Sequence, residues 1–278
     1  TSGDVQPDTE DADMPTWLQP PDPEPVQEKE PPQGALTAQD ILSSSQVIAH
    51  RMGTMDGITT LNCLEGFQQQ YERGVRVFEV DLRLTSDLQV VLRHDWRAGW
   101  QAGISETSIP SLKAFLNRPL MQQYTPLSFR DLLLLMEEYP DVCIVTDTKF
   151  TDAEIVTLQF EAMLSDAQEL GLTYLFDRMV IQVYSELMYT VVDNLHHFPN
   201  YLYTLYAEGF GRTETAFRDI TSFCDENDIL GITMWDYWWN EAYSPIAQEY
   251  GLRVFAHTVN DAQEARSLLA SGISAVYT

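Results

Sequence analysis

The chain has 278 residues, 44% of them apolar and 11% aromatic, enough for one large domain with a substantial core. Its formal charge of −26 argues against nucleic acids and anionic lipid surfaces as partners unless a cation intervenes. No apolar run approaches the roughly 20 residues a membrane span needs, the first residues do not read as a signal peptide, and Cys63, Cys143 and Cys224 have neither zinc-site nor disulfide-scaffold spacing.

Residues 1–40 read as a linker. The first 33 hold eight of the 14 prolines and nine acids against the single Lys29, leaving about −18 for the rest. So polar a segment cannot offset its ordering entropy by burial, so a disordered, extended tail is predicted, with Trp17 and Leu18 its only large apolar pair. A Pro-rich acidic stalk of this kind suits a domain held away from a membrane or wall, so an upstream anchor and an extracytoplasmic location are expected, with the cytoplasm as the alternative.

From residue 41 to 278 short apolar runs alternate with helical patterns. The strand candidates are Val47–Ala49, Val77–Leu82, Val90–Leu92, Val142–Thr146, Met179–Tyr184, Tyr201–Tyr206, Ile229–Met234, Leu252–His257 and Ser274–Tyr277. Helices are predicted over 64–73, 129–139, 153–170, 186–196, 214–227, 242–250 and 262–270. Thr151 with Glu154, and Asn260 with Gln263, have capping-box spacing, and Gly171, Gly251 and Gly272 follow helix ends. Alternation of this kind predicts an α/β fold with a parallel sheet. The five residues Thr85–Gln89 are too few for a parallel crossover, so Val90–Leu92 is expected to lie antiparallel beside the strand before it. Eight parallel strands remain, the number of a TIM-type (β/α)8 barrel.

Active residues of such a barrel gather at the carboxyl ends of its strands. His50 and Arg51 follow the first strand, Glu79 and Asp81 end the second, His94 and Asp95 follow the third, and Asp147 and Lys149 end the fourth. Alternate strand residues share a face, so Glu79 projects with Asp81, and Asp147 with Lys149. Three converging carboxylates repel unless protonated or bridged by a cation, and all-oxygen donors suit Mg²⁺ or Ca²⁺. Arg51 and Lys149 add positive charge for a phosphate, while His50 and His94 titrate near neutral pH and could serve as acid and base. A lone His or Asp at a strand end is usually structural. Several together at apolar strand ends cost free energy unless paired, and so point to a metal or catalytic site. Gln182, Trp96 and Trp235 are the candidate walls of a substrate pocket, with Trp100 and the aromatic run after Trp235 close by.

These residues resemble a family. Ala49-His50-Arg51, Asn62-Cys63-Leu64-Glu65-Gly66-Phe67, Gly74 to Asp81, Leu84 to Asp87 and Val90 to Asp95, followed by Asp147-Thr148-Lys149 and Thr258-Val259-Asn260, are similar to the glycerophosphodiester phosphodiesterases. The resemblance implies a barrel of the phosphatidylinositol-specific phospholipase C group. It also implies catalytic histidines at His50 and His94, one metal at Glu79, Asp81 and Asp147, and phosphate-binding cations at Arg51 and Lys149. Three positions depart from the family pattern. Thr60-Leu61-Asn62-Cys63 keeps only the Asn of Pro-Glu-Asn-Thr, Asp147 replaces a Glu as in the sphingomyelinase D branch, and His257 stands where Trp is common. The function so implied is metal-dependent cleavage of a small-molecule or lipid-headgroup phosphodiester. The alternatives are a sphingomyelinase D-like lyase acting on lysophospholipids and an inactive barrel that binds a phosphate ligand.

Overall fold

The computed structural model describes residues 26–278 except 98, 100 and 102, so Trp17, Leu18 and Trp100 lie outside the described residues. The helices are α1 (Ala38–Ser43), α2 (Leu64–Glu72), α3 (Leu112–Leu116), α4 (Phe129–Glu138), α5 (Ala153–Leu170), α6 (Glu186–Leu195), α7 (Glu214–Glu226), α8 (Tyr243–Glu249) and α9 (Ala262–Ala270). The strands are β1 (Val47–Ile48), β2 (Val77–Leu84), β3 (Val90–Leu92), β4 (Cys143–Asp147), β5 (Met179–Val183), β6 (Tyr201–Thr204), β7 (Gly231–Trp235), β8 (Arg253–His257) and β9 (Ala275–Tyr277).

The sheet runs β1-β9-β8-β7-β6-β5-β4-β2-β3. Every pairing is parallel except β2 with β3, where the short Thr85–Gln89 turn forces antiparallel pairing. Ala49, one residue past β1, bridges Phe78 of β2 in parallel, so the two ends of the curled sheet meet. The arrangement is TIM-like, with helices packed outside over Phe78, Val80, Ile144, Ile181 and Ile232. Inward side chains near the amino ends of the strands form a second apolar cluster that includes Val77, Val145, Val180, Leu202 and Phe255.

That inner cluster also holds Ala38, Ile41 and Leu42 of α1, a helix started by the Thr37–Asp40 capping box. The linker assignment of residues 1–40 is therefore corrected over its described part. Residues 26–37 are extended but lie against the domain: Lys29 N donates to Gly171 O at 2.9 Å, Thr173 Oγ1 to Glu28 at 2.8 Å, and Lys29 Nζ meets Glu137. The low apolar content that suggested a tail misses a segment held by backbone and ionic contacts and ending in one buried helical turn.

The two capping expectations shift by one residue. Asp152 and Asp261, rather than Thr151 and Asn260, cap α5 and α9, each carboxylate accepting from two backbone N–H groups. Gly171 ends α5 in the left-handed conformation its φ of 64° requires.

Candidate active site

β2 and β4 are neighbours in register, with Asp81 opposite Asp147 and Glu79 opposite Val145. Their carboxyl ends thus bring Glu79, Asp81 and Asp147 together, one carboxylate oxygen from each lying within 4.8 Å of the others. All three are buried.

A set of donors surrounds them. Asn62 Nδ2 donates to Asp81 at 2.8 Å, and its own Oδ1 accepts from Asp81 N at 3.0 Å. Arg51 N donates to Glu79 at 2.7 Å from the tight turn at residues 50–52, and Arg51 Nε stands 3.5 Å from Asp81. Lys149 Nζ lies 2.7 Å from Asp81 and also pairs with Asp147. Tyr184 and Tyr206 both donate their phenol protons to Asp147, and Gln182 Nε2 donates to the Tyr206 oxygen at 3.1 Å.

Burial pushes the Glu79 carboxyl up to about 8, reinforced by the charge of Asp81 beside it. Burial acts on Asp81 in the same direction, but Lys149 and Arg51 overcome it and hold that group below the usual carboxylate range. The site therefore keeps a proton on Glu79 where a divalent cation would otherwise offset its charge. The donor set fits such a cation. Glu79 Oε1 is buried with no hydrogen-bond partner among the described residues, and three clustered carboxylates match the preference of hard ions for oxygen.

The two predicted histidines flank this cluster. His50 and His94 line one cavity of about 200 Å³ together with Arg51, Asp147, Lys149, Tyr206, Trp235, His257 and Thr258. Both are fixed through Nδ1: His94 to Asp95 at 2.6 Å, His50 to the Thr258 hydroxyl at 3.2 Å. The Nε2 atoms are left for chemistry, that of His50 lying 3.7 Å from Glu79. Burial, then the charge of Arg51, holds His50 down to about 3, and burial likewise lowers His94 against the opposing pull of Asp81 and Asp95.

Of the predicted pocket residues, Trp235 lines the cavity, while Gln182 lines a smaller recess below it. Trp96 does neither. It is buried with Val91, Ile104 and Phe115, edge-on to Phe115 at 5.9 Å, because the loop after His94 folds over its own apolar cluster and α3. The aromatic run after Trp235 also divides. Tyr237 is 70% exposed and stacked on Trp235, whereas Trp239 turns away to donate to Ser271.

Tyr206, Thr258 and His257 were not singled out as pocket residues. Period-two spacing was the available signal for two of them: Tyr206 extends the inward row Leu202-Thr204, and His257 the row that contains Phe255.

Residues 50–119 match the sequence model of the Glycerophosphoryl diester phosphodiesterase family. No curated protein matches the chain. Among solved structures, a candidate glycerophosphodiester phosphodiesterase of Galdieria sulphuraria is similar over 84% of this chain and 92% of its own, at 16% identity and TM-score 0.69. A phosphodiesterase of Oleispira antarctica, in complex with the product sn-glycerol-3-phosphate, has the same coverages and identity at TM-score 0.68. A glycerophosphodiester phosphodiesterase of Parabacteroides distasonis, 14% identical, reaches 0.64 over 84% of this chain and 92% of its own. At these identities the likeness establishes a shared fold.

Proposed function

We propose, from a segment that matches the glycerophosphoryl diester phosphodiesterase family and a fold shared with solved phosphodiesterases, that this chain is a metal-dependent phosphodiesterase of glycerophosphodiesters or related headgroup diesters. The observation that carries the proposal is the single cavity in which His50, His94, Arg51 and Lys149 meet beside three buried carboxylates. The product complex of the Oleispira antarctica relative supports a small-molecule phosphodiester as the substrate.

Glu79, Asp81 and Asp147 would hold one divalent cation, Mg²⁺ or Ca²⁺, which when bound neutralises charge on the phosphoryl group. Arg51 and Lys149 take phosphoryl oxygens and stabilise the charge that grows on them. One imidazole removes the proton of the attacking hydroxyl or water, and the other returns a proton to the departing alkoxide oxygen. Asp95 and Thr258 hold the two rings so that each works through Nε2. Asn62, Tyr184 and Tyr206 keep the acidic oxygens in place. Trp235 offers an apolar wall to the alcohol moiety.

The test is hydrolysis of glycerophosphocholine and bis(p-nitrophenyl) phosphate. Turnover is expected with Mg²⁺ or Ca²⁺ and should vanish with chelator. No turnover with any divalent cation, or turnover indifferent to chelator, would reject the proposal.

A further inference from the structure

Arg83 does not line the cavity, yet it touches the backbone of a residue that does. It continues the row of alternate β2 residues Glu79 and Asp81, one step beyond the carboxylates. Its Nε donates to the main-chain oxygen of His94 at 2.9 Å. Its guanidinium carbon lies 4.9 Å from the centre of the Phe150 ring, and Phe150 follows Lys149 in the chain. One half-buried side chain thus joins the loop that carries His94 to the loop that carries Lys149. Burial weighs against its charge, and Asp81 and Asp95 offset part of that cost. The neighbours of His94 are anchored too. Arg93 N donates to Asp81 O at 2.9 Å, Arg93 Nε to Asp95 O at 2.7 Å, and Arg97 N to the Asp95 carboxylate at 2.7 Å. Asp95 in turn fixes the His94 ring through Nδ1, while Arg83 holds the His94 carbonyl.

We propose that Arg83 is a positioning residue that holds the His94 imidazole in register with Lys149, acting through its Nε–H bond rather than through charge at the phosphate. An acid or base works only when placed to within about 0.5 Å, and a misplacement of about 1 Å costs on the order of a hundredfold in rate. A ring anchored only by Asp95, its sequence neighbour, would swing with the loop that carries both residues. A bond from β2 instead ties His94 to the strand that carries Glu79 and Asp81. The Phe150 ring steadies the guanidinium plane, a contact that suits arginine's flat fork better than lysine's compact ammonium. The inference rests on the phosphodiesterase proposed above, and its test includes a measurement on His94 that needs no turnover.

Three substitutions in the full chain separate the bond from the charge. In Arg83→Gln the amide nitrogen sits as many bonds from Cα as arginine Nε, so a donor remains and the charge is lost. Arg83→Lys keeps the charge but puts a methylene where the donor stood, and Arg83→Met keeps only the length. With Mg²⁺ and glycerophosphocholine, Arg83→Lys and Arg83→Met are expected to lose roughly ten- to a hundredfold in kcat with KM within about threefold of the wild type, while Arg83→Gln keeps kcat to within about threefold. The second readout is the nitrogen NMR spectrum of the five imidazoles, with His94 identified by His94→Ala. Wild type and Arg83→Gln should show one His94 tautomer, protonated at Nδ1, whereas Arg83→Lys and Arg83→Met should show averaged ring-nitrogen shifts. If Arg83→Met does not fold, the Gln and Lys variants decide. Activity kept by Arg83→Lys and lost by Arg83→Gln would assign Arg83 to charge and overturn the inference. So would a loss carried in KM, or a His94 spectrum alike in all the proteins. A His94 tautomer that follows Arg83 in a protein that cleaves no diester would sink the phosphodiesterase and leave Arg83 its role. Hydrolysis equal in all the variants would do the reverse.

Discussion

At the amino end of the curled sheet the inward side chains are Ile48, Val77, Cys143, Val180, Leu202, Phe255 and Ala275. Further along the same strands, Val77 is followed two residues on by Glu79, Val180 by Gln182, Leu202 by Thr204, Phe255 by His257 and Ala275 by Tyr277, while on β4 Cys143 is followed by Val145 and then by Asp147. One or two steps of the strand period change the interior from apolar to polar while the backbone pairing continues unchanged. The lower layer is closed by the apolar face of α1, so it needs no ligand. The upper layer holds carboxylates, imidazoles and, in Glu79 Oε1, a buried oxygen with no hydrogen-bond partner among the described residues. Stability and chemistry are thus stacked along one axis, and they should come apart under mutation.

The largest separation is expected at the two histidines. His50→Ala and His94→Ala should each lower kcat/KM for a cleaved diester by roughly two to four orders of magnitude. Unfolding midpoints should stay within about 1 kcal/mol of the wild type, since neither ring belongs to the apolar cluster. Full activity in either variant would remove that residue from the chemistry.

Leu42→Ala is the converse at the lower end. The side chain is buried against the inner apolar cluster, so its loss should cost about 2–5 kcal/mol by denaturant unfolding. Protein still folded should keep the wild-type kcat/KM. A large loss of activity per folded molecule would show that the two layers are coupled.

Much of this stack was readable beforehand, for a physical reason. Strand alternation and connection length are local properties, so the antiparallel β3 followed from five residues and the grouping of Glu79, Asp81 and Asp147 from spacing at strand ends. What escaped depends on where a loop turns. Trp96 and Trp235 both follow strands, but the loop after His94 buries its tryptophan under itself while β7 carries Trp235 into the cavity. Thr258 becomes visible as the hydrogen-bond partner of His50 only when residues 208 positions apart meet. α1 escaped because a six-residue helix after a Pro-rich stretch has too short a pattern to register.

The polar layer should also leave a mark on stability against pH in chelator. The unfolded chain protonates its imidazoles near 6.5, whereas His50 and His257 in the fold stay neutral to about 3. The unfolded state therefore binds more protons between those values, and stability falls as pH drops through that window. Glu79 acts the other way. Folded, it keeps its proton to about 8, while the unfolded carboxyl releases it near 4.5, so stability falls as pH rises between them. The metal-free protein should be most stable at roughly pH 6.5 and lose about 1–2 kcal/mol by pH 8. Glu79→Gln should flatten that alkaline limb in a melting series. Mg²⁺ should raise the melting temperature more at pH 8 than at 6.5, because it competes with the Glu79 proton. A limb unchanged in the variant would place the titration elsewhere.

The smallest effect belongs to the strap that leads into α1. Lys29 meets Glu137 across an exposed surface, and a pair so placed contributes between nothing and about 1 kcal/mol, since water and salt screen it. Its backbone N–H, by contrast, donates to Gly171 O, at the end of α5, and that bond survives any side-chain change. Lys29→Ala should therefore shift the unfolding midpoint by less than 1 kcal/mol, an effect that fades in high salt. Kcat/KM should not move, because the strap lies at the end of the barrel opposite the histidines. Deleting residues 26–37 removes the backbone bond and the Thr37 cap as well, so it should cost more than Lys29→Ala. If the deletion costs no more than the point substitution, the strap is held by its charge alone and α1 closes the barrel without it.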